Sequence, residues 1–231
     1  METKENKEKL SFGEWVENIW YHYKWPIICF TVLGIFLIYS AVQLFSKDDP
    51  DIKMLHVGPM YVSPTDADAL RGSVEGLSDD YNEDGEVIAD FMDITIAKFK
   101  DADTGEFFNY DEHNKALQRF QTEIRAGESM LYVLDREYFD ICMDENLLEP
   151  LDSFVDDVDM PENVIEGCGV LISELDAYEL PGISRFSEDA ILCLRRSPDK
   201  DEISYGRTDE EWNGHRRTFI NIIKYRAENQ E

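Results

Sequence analysis

One segment of the sequence has the spacing of oxygen ligands that a calcium loop needs. Residues 80–88 read DYNEDGEVI, with side-chain oxygens at loop positions 1, 3 and 5, a glycine at position 6 and a backbone carbonyl at position 7. The candidate ligands are Asp80, Asn82, Asp84 and Glu86. Asp90 or Asp93 would substitute for the carboxylate that loop position 12 normally supplies. Position 12, where a bidentate Glu normally stands, is Phe91. The segment predicts either a weak Ca²⁺ site or a hydrated polar turn between a helix and a strand.

Catalytic chemistry has little support in the sequence. The histidines are scattered and form no His-Glu-x-x-His pair: His22, His56, His113 and His215. The chain also has no Gly-x-Ser-x-Gly elbow, no phosphate-binding loop and no dinucleotide fingerprint. Asp and Glu are so abundant that an acid pair for glycoside hydrolysis could always be chosen, so such a pair is uninformative. We expect a protein that is not an enzyme, and a hydrolase is the least supported alternative.

The four cysteines do not amount to a disulfide scaffold. Cys29 lies in an apolar run near the N-terminus, and the others are Cys142, Cys168 and Cys193. Cys168 and Cys193 lie in apolar, strand-like runs and would pair only if those strands were neighbours. We expect buried free thiols, the commoner outcome for such residues.

Composition predicts a folded and strongly acidic protein. The 231 residues include 50 Asp and Glu against 22 Lys and Arg, a formal net charge of −28. Hydrophobic residues make up 43 % and aromatic residues 12 %, too many for a disordered acidic tail. A charge this negative repels phosphate backbones, so nucleic acid is not expected as a partner.

Residues 25–46, WPIICFTVLGIFLIYSAVQLFS, contain no charged side chain. At ~1.5 Å rise per residue, such a run can cross ~30 Å of hydrocarbon. The alternatives are a buried core helix and a cleaved signal peptide. However, 24 residues precede the run, and Tyr39 occupies the −3 position relative to Ala41, where a cleavage site needs a small residue. We therefore expect an uncleaved, single-pass transmembrane helix.

The positions of the lysines predict the orientation of this helix. Four lie before it and two follow within the ~20 residues that count for topology: Lys4, Lys7, Lys9 and Lys24, then Lys47 and Lys53. We expect a cytoplasmic N-terminus and an extracytoplasmic C-terminal domain in the cell membrane. Residues 1–46 hold four bases and five acids, which leaves 18 bases and 45 acids, a charge of −27, in residues 47–231.

Residues 1–24 are predicted to form a cytoplasmic tail with a short interfacial helix. Ser11 and Glu14 fit a capping box, with Leu10 and Trp15 placed as a hydrophobic staple. An aromatic belt follows, of the kind that meets lipid headgroups: Trp20, Tyr21, Tyr23 and Trp25. We expect this helix to bend into the span at Pro26. The alternative is a flanking segment with no further role.

The run IWYHYKW at residues 19–25, followed by one hydrophobic span, resembles the start of many single-pass surface proteins of clostridia-like Gram-positive bacteria. The resemblance covers about 45 residues. It implies a membrane topology and says nothing about an activity.

Residues 47–231 predict a single acidic α/β domain after a short polar linker at 47–51. Strands are expected at residues 52–57, 86–97, 130–134, 168–172 and 190–194. Helices are expected to begin at Ser63 and Pro64, to cover residues 110–126 before Gly127, and to open at the capping box of Thr208 and Glu211. Asp135 follows the third strand and can cap the next helix. Strands that alternate with helices favour an α/β sandwich with a mixed sheet.

Residues 118–154 resemble part of the bacterial extracellular solute-binding proteins. The shared pattern is an amphipathic helix, a Gly-Glu turn, an apolar strand that ends in Asp, and the run LLEPLDSF. In that family the acid at the end of the strand lies near the ligand cleft, so the resemblance implies a ligand-binding role for Asp135. Those proteins have two lobes and roughly twice this length, whereas residues 47–231 can build only one lobe.

These observations predict a membrane-anchored, extracytoplasmic binding or accessory module for a transporter or envelope complex. The expected partners are the lipid bilayer and either another envelope protein or a cell-wall polymer. The alternative is a calcium-stabilised structural or interaction domain, with Ca²⁺ as the only candidate cofactor.

Overall fold

The computed structural model describes residues 12–45, 50–97, 109–154, 161, 163–200 and 207–226. The chain forms two compact units, Met1–Asp48 and Asp49–Glu231. Parts of three predicted features lie outside the described residues: the capping box at Ser11, the staple at Leu10 and most of the linker at 47–51.

The first unit contains one long helix, α1, which covers Phe12–Phe45 with Pro26 inside it. Its segment Trp20–Ser40 is long and apolar enough to cross a membrane, and none of it is buried. The predicted interfacial segment and the predicted span thus belong to one continuous helix. Such a helix is compatible with a single-pass anchor or a signal anchor, because its apolar side chains have no protein core to pack against.

The second unit has a mixed six-stranded sheet in the order β2-β1-β3-β6-β5-β4. Its strands are β1 (Ile52–Gly58), β2 (Ala89–Thr95), β3 (Leu131–Leu134), β4 (Val164–Ile165), β5 (Gly169–Leu171) and β6 (Ile191–Leu194). Strand β1 pairs in parallel with both β2 and β3, whereas the pairs β3–β6, β6–β5 and β5–β4 are antiparallel. The predicted α/β class with a mixed sheet is confirmed.

Helices cover both faces of the sheet. They are α2 (Pro64–Glu75), α3 (Tyr110–Ala126), α4 (Arg136–Asp144) and α5 (Asp209–Lys224). Leu70 of α2 and Phe219 of α5 belong to the hydrophobic cluster on one face. Phe120 of α3 and Phe139 of α4 belong to the cluster on the other face. Four short 3-10 helices, at Leu151–Phe154, Ile172–Glu174, Asp176–Glu179 and Ile183–Arg185, complete the described elements.

The predicted helix boundaries are confirmed by the capping contacts. The Ser63 hydroxyl accepts a hydrogen bond from the Asp66 N–H at 3.2 Å, and Pro64 is the first residue of α2. Helix α3 ends at Gly127, whose φ of 67° is a left-handed conformation that suits glycine. Thr208 and Glu211 form the predicted capping box at the start of α5.

Two details of the strands differ from prediction. Strand β2 begins at Ala89 and not at residue 86, because the Ile88 N–H donates to the buried Asp51 carboxylate and holds the preceding residues in a loop. The two-residue strand β4 was not predicted.

The cysteines are free thiols, as expected, and Cys142, Cys168 and Cys193 are buried. Cys193 pairs in register with Gly169, so Cys168 and Cys193 do lie on or beside neighbouring strands. Burial raises the pKa of Cys142 to about 12. The Cys142 thiol is therefore protonated at neutral pH and is a poor nucleophile.

Candidate functional site

The parallel part of the sheet contains a point where the strand order reverses. Strand β1 lies between β2 and β3. The chain therefore forms β2 on one side of β1 and then crosses over to form β3 on the other side. Helix α2, which follows β1, and helix α4, which follows β3, contribute to the cores on opposite faces. In open α/β sheets, ligands bind at such a point, outside the carboxyl ends of the strands. We call the ends of β1, β2 and β3, with the residues that follow each, the carboxyl edge.

A histidine and an aspartate form a close pair at the carboxyl edge. His56 of β1 and Asp93 of β2 are direct partners in the parallel register. The distance from His56 Nδ1 to Asp93 Oδ1 is 2.6 Å. Asp93 Oδ2 also accepts hydrogen bonds from the Thr95 hydroxyl at 2.8 Å and from the Val62 N–H at 3.4 Å. Because the Asp93 carboxylate oxygens act as acceptors, His56 Nδ1–H is the donor of the hydrogen bond between the two side chains.

The second ring nitrogen of His56 lies close to Gly58. The imidazole is 3 % exposed and packs on Phe186, with 4.9 Å between ring centroids. A Cβ placed on Gly58 would lie 3.1 Å from His56 Nε2 and 3.8 Å from Asp135 Cβ. Within the described part of the chain, His56 contacts its neighbours through Nδ1 and through ring stacking. A side chain at position 58 would therefore crowd the His56 ring, and glycine allows this close packing.

Asp135, the predicted ligand-binding residue, lies directly after β3 at the carboxyl edge. Its N–H donates to the Val57 carbonyl at 2.9 Å, which ties the end of β3 to the end of β1. It occupies the cap position of α4, but its side chain makes no capping hydrogen bond and is 8 % exposed. The backbone thus agrees with the expected helix cap, while the carboxylate is directed to other contacts. The structure brings it together with His56 and Asp93, and we call these three residues the edge cluster.

The loop after β1 exposes two large apolar side chains at the carboxyl edge. Met60 is 45 % exposed and Tyr61 is 69 % exposed. The next residue, Val62, is buried and bonds to Asp93 through its N–H. The loop is therefore anchored to the edge cluster at Val62 while Met60 and Tyr61 face solvent.

The predicted calcium loop is organised by a buried carboxylate that the sequence analysis did not identify. Asp51 is fully buried and accepts hydrogen bonds from the N–H groups of Tyr81 at 3.1 Å, Asn82 at 3.3 Å and Ile88 at 2.9 Å. Asp51 thus ties both ends of the loop to the start of β1. This order requires no metal ion.

The predicted calcium ligands contact the backbone of their own loop. Asp80 Oδ2 accepts from the Gly85 N–H at 2.9 Å, Asn82 Oδ1 from the Asp84 N–H at 3.0 Å, and Asp84 Oδ1 from the Glu86 N–H at 3.0 Å. Asp90 lies on β2 and is exposed. Within the described part of the chain, no three His, Cys, Asp or Glu side chains converge as a metal site. Calcium binding stays a prediction, and the loop has its own network of hydrogen bonds.

The pairing of His56 with Asp93 was not predicted, because local motifs do not connect two residues that are 37 positions apart. A usable signal was present. Each is the ionisable residue on an otherwise uncharged face of its strand, the face that carries Met54 or Phe91 of one core cluster. Buried polar groups need partners, so two such residues on predicted neighbouring strands are expected to pair.

Comparisons with known protein families, with curated proteins and with solved structures find no match for this chain. The carboxyl edge holds the nearly buried side chains of His56 and Asp135, and the adjoining loop exposes Met60 and Tyr61. Exposed apolar side chains at the edge of a sheet suit contact with another molecule.

Proposed function

We propose that this protein is a membrane-anchored extracytoplasmic binding or accessory module for a transporter or envelope complex. The observation that carries the proposal is the unburied apolar segment Trp20–Ser40, joined in one chain to an α/β unit that has a candidate binding edge. The excess of lysine before this segment supports a cytoplasmic N-terminus and an extracytoplasmic second unit.

A large partner suits this module better than a small solute. Solute-binding proteins enclose a small ligand between two lobes, and closure supplies contacts from both. A single lobe presents an open edge, where a small molecule buries too little surface to offset its lost freedom. We propose that another envelope protein or a cell-wall polymer meets the carboxyl edge near Asp135. Because residues 47–231 carry a charge of −27, association with a basic partner weakens as salt rises.

The proposed orientation in the membrane provides the test of this function. Protease added to intact protoplasts is expected to remove the second unit, because the proposed orientation places residues 47–231 outside. The measurement is immunoblotting of tags at the two termini, with a cytoplasmic protein as the control for lysis. Loss of the N-terminal tag with full protection of the C-terminal tag contradicts the orientation and the function that depends on it.

A calcium-stabilised interaction domain is the second candidate function, and one atom favours it. Asp80 Oδ1 is buried and has no hydrogen-bond partner among the described residues, although the other oxygen of the same carboxylate bonds to Gly85. A cation in the loop would satisfy this oxygen, which is otherwise costly to bury.

If the loop binds calcium, Ca²⁺ at millimolar concentration is expected to raise the melting temperature of the protein. A ligand that binds only the folded form stabilises it by ~2.7 kcal/mol at about 100 times Kd. Asp80→Ala is expected to abolish the increase, while Glu112→Gln, on the exposed surface of α3, retains it. Mg²⁺ at equal concentration controls for screening of the net charge. If Ca²⁺ and Mg²⁺ shift the melting temperature equally in all three proteins, the loop has no specific calcium site and is a polar turn.

A further inference from the structure

We propose that the outer side of strand β2 binds an extended, basic segment of another protein, which adds to the six-stranded sheet as a further strand. The outer side of β2 is the row of outward backbone groups at Phe91, Asp93 and Thr95, with the exposed side chain of Asp90 beside it. The inference rests on the proposed function, because it specifies how an envelope protein would be held.

Strand β2 lies at one end of the sheet. In the described part of the chain it pairs only with β1, in a parallel register that runs without interruption from Ala89 to Thr95. At ~3.3 Å rise per residue, an added chain could pair with it over about 20 Å. An edge strand presents a row of unpaired N–H and C=O groups, and an extended segment of another protein can pair with them.

The hydrogen bonds that flank β2 show which of its groups point outward. The Ile88 carbonyl accepts from the Ile52 N–H at 3.2 Å, and the Ile96 N–H donates to the Gly58 carbonyl at 2.8 Å. Both flanking residues therefore direct these groups toward β1. The alternation of a strand gives the even-numbered residues between them the same direction. The odd-numbered residues direct their N–H and C=O groups away from β1: Phe91, Asp93 and Thr95.

The described residues cover only the start of this outer side. The Ala89 N–H donates to Glu75 Oε1 at 3.1 Å, which satisfies the first outward donor. Further along the strand, no described residue forms a hydrogen bond with the outward backbone groups. Asp90 is exposed, and Thr95 is partly exposed. The strand also has no proline, lysine or bulge, three features that commonly prevent an edge from pairing.

The charge of the surface selects the partner. Asp90 is exposed on β2, and residues 47–231 together carry a charge of −27. A second copy of this chain would bring the same negative charge to the edge, so pairing of β2 with β2 is disfavoured. A lysine or arginine on an added strand would instead form an opposite-charge pair with Asp90. The partner segment is therefore both extended and basic.

The outer side of β2 adjoins the carboxyl edge. The Asp93 side chain accepts from the Val62 N–H, and Val62 belongs to the loop that exposes Met60 and Tyr61. A segment paired with β2 can therefore continue toward these two apolar side chains. That contact would bury apolar surface in addition to forming the backbone hydrogen bonds, and pockets for side chains are what give such pairing its specificity.

The test measures binding of the labelled peptide Ac-Val-Lys-Val-Thr-Val-Lys-Val-NH2 to the full chain in nanodiscs of zwitterionic lipid. The peptide is palindromic, so a lysine can approach Asp90 in either strand direction. Thr95→Pro removes one outward N–H and is expected to weaken binding about 10-fold or more, because the ring also obstructs pairing. Thr95→Ala loses the hydroxyl that donates to Asp93 but keeps the N–H, and is expected to change the Kd by less than about twofold.

Changes to the peptide test the same contact on the wild-type protein. Methylation of its central backbone nitrogens keeps every side chain and charge but removes hydrogen-bond donors, so we expect it to abolish binding. Replacement of both lysines by glutamate is also expected to abolish binding, because the surface beside Asp90 is acidic. These arms need no variant of the protein, and melting curves confirm that the Thr95 variants are folded.

The proposal is overturned if the lysine peptide shows no saturable binding, or if the methylated or the glutamate peptide binds as tightly. It is also overturned if Thr95→Ala weakens binding as much as Thr95→Pro. A wild-type dimer in sedimentation that Thr95→Pro dissociates would overturn it as well, since the occupant would then be a second copy. The protease assay on protoplasts tests the proposed function separately, because its result does not depend on strand pairing.

Discussion

Replacing Arg195 with alanine is expected to lower the free energy of unfolding of the second unit by about 3–5 kcal/mol. This arginine is the largest side chain with no exposed surface in the described residues. Its Nη1 donates to the Ile124 carbonyl at 2.7 Å and to the Tyr132 hydroxyl at 2.8 Å. Truncation leaves both of these buried acceptors without their donor and opens a cavity in the core.

Arg195 also connects three elements through its backbone. Its N–H donates to the Met130 carbonyl at the start of β3, and its own carbonyl accepts from the Trp212 indole N–H at 2.8 Å. These backbone contacts are independent of the side chain, so alanine keeps them. The expected loss therefore comes from the guanidinium and its packing, and the fold around position 195 is retained.

The measurement is urea unfolding of residues 49–231, followed by the fluorescence of Trp212, the only tryptophan in that unit. Arg195→Met keeps the length of the side chain without its charge and is expected to cost less than Arg195→Ala. Tyr132→Phe removes one of the two acceptors and is expected to cost about 1 kcal/mol. Arg119→Ala, on the exposed surface of α3, is the control and is expected to stay within ~0.5 kcal/mol of the wild type. A loss below about 1 kcal/mol for Arg195→Ala would contradict a structural role.

The elements that were predicted correctly depend on neighbouring residues in the chain. A Ser cap followed by Pro64, a glycine at position 127, and the Thr208 capping box each act within one helical turn. Their physical cause is local, so the sequence alone is sufficient to place these helix ends.

The candidate site was predicted less completely because its contacts are long-range. Asp135 was singled out by the resemblance of residues 118–154 to solute-binding proteins, and its position after an apolar strand predicted only a helix cap. Its companion His56 becomes informative only when the parallel register sets it opposite Asp93. The same holds for Asp51, whose hydrogen bonds reach 30 to 37 residues along the chain. Register and crossover are set by packing of the whole sheet, and no local motif encodes them.

The second unit is also expected to lose much of its stability when the pH is lowered. Burial lowers the pKa of His215 to about 4, against an ordinary value of 6.5. The imidazole is 1 % exposed, and each of its nitrogens makes a hydrogen bond. Nε2 accepts the Lys53 N–H at 2.8 Å, so the proton of the neutral ring is on Nδ1, which donates to the Glu211 carbonyl at 2.8 Å. A proton on Nε2 would face the Lys53 N–H and break that bond.

The direction of the pH effect follows from proton binding. Between the folded pKa of about 4 and the unfolded value of 6.5, the unfolded chain binds the additional proton, so stability falls as the pH is lowered. The contribution of His215 is fully present above pH ~6.5 and is reduced by about 2 kcal/mol at pH 5 and about 3 kcal/mol at pH 4. Acid also relieves repulsion within the −28 chain, which acts in the opposite direction.

A variant separates these two effects. His215→Gln is expected to be less stable than the wild type at pH 7.5, because it loses packing around a buried ring. Its stability is expected to fall less steeply between pH 7.5 and 5, since glutamine binds no proton and the relief of repulsion is the same in both proteins. Phe219→Leu, a buried position on the same helix that binds no proton in either form, is the control for lost packing and should keep the wild-type slope. Urea unfolding at each pH gives the comparison. If His215→Gln and the wild type show the same dependence on pH, the buried imidazole is not the group that makes this fold sensitive to acid.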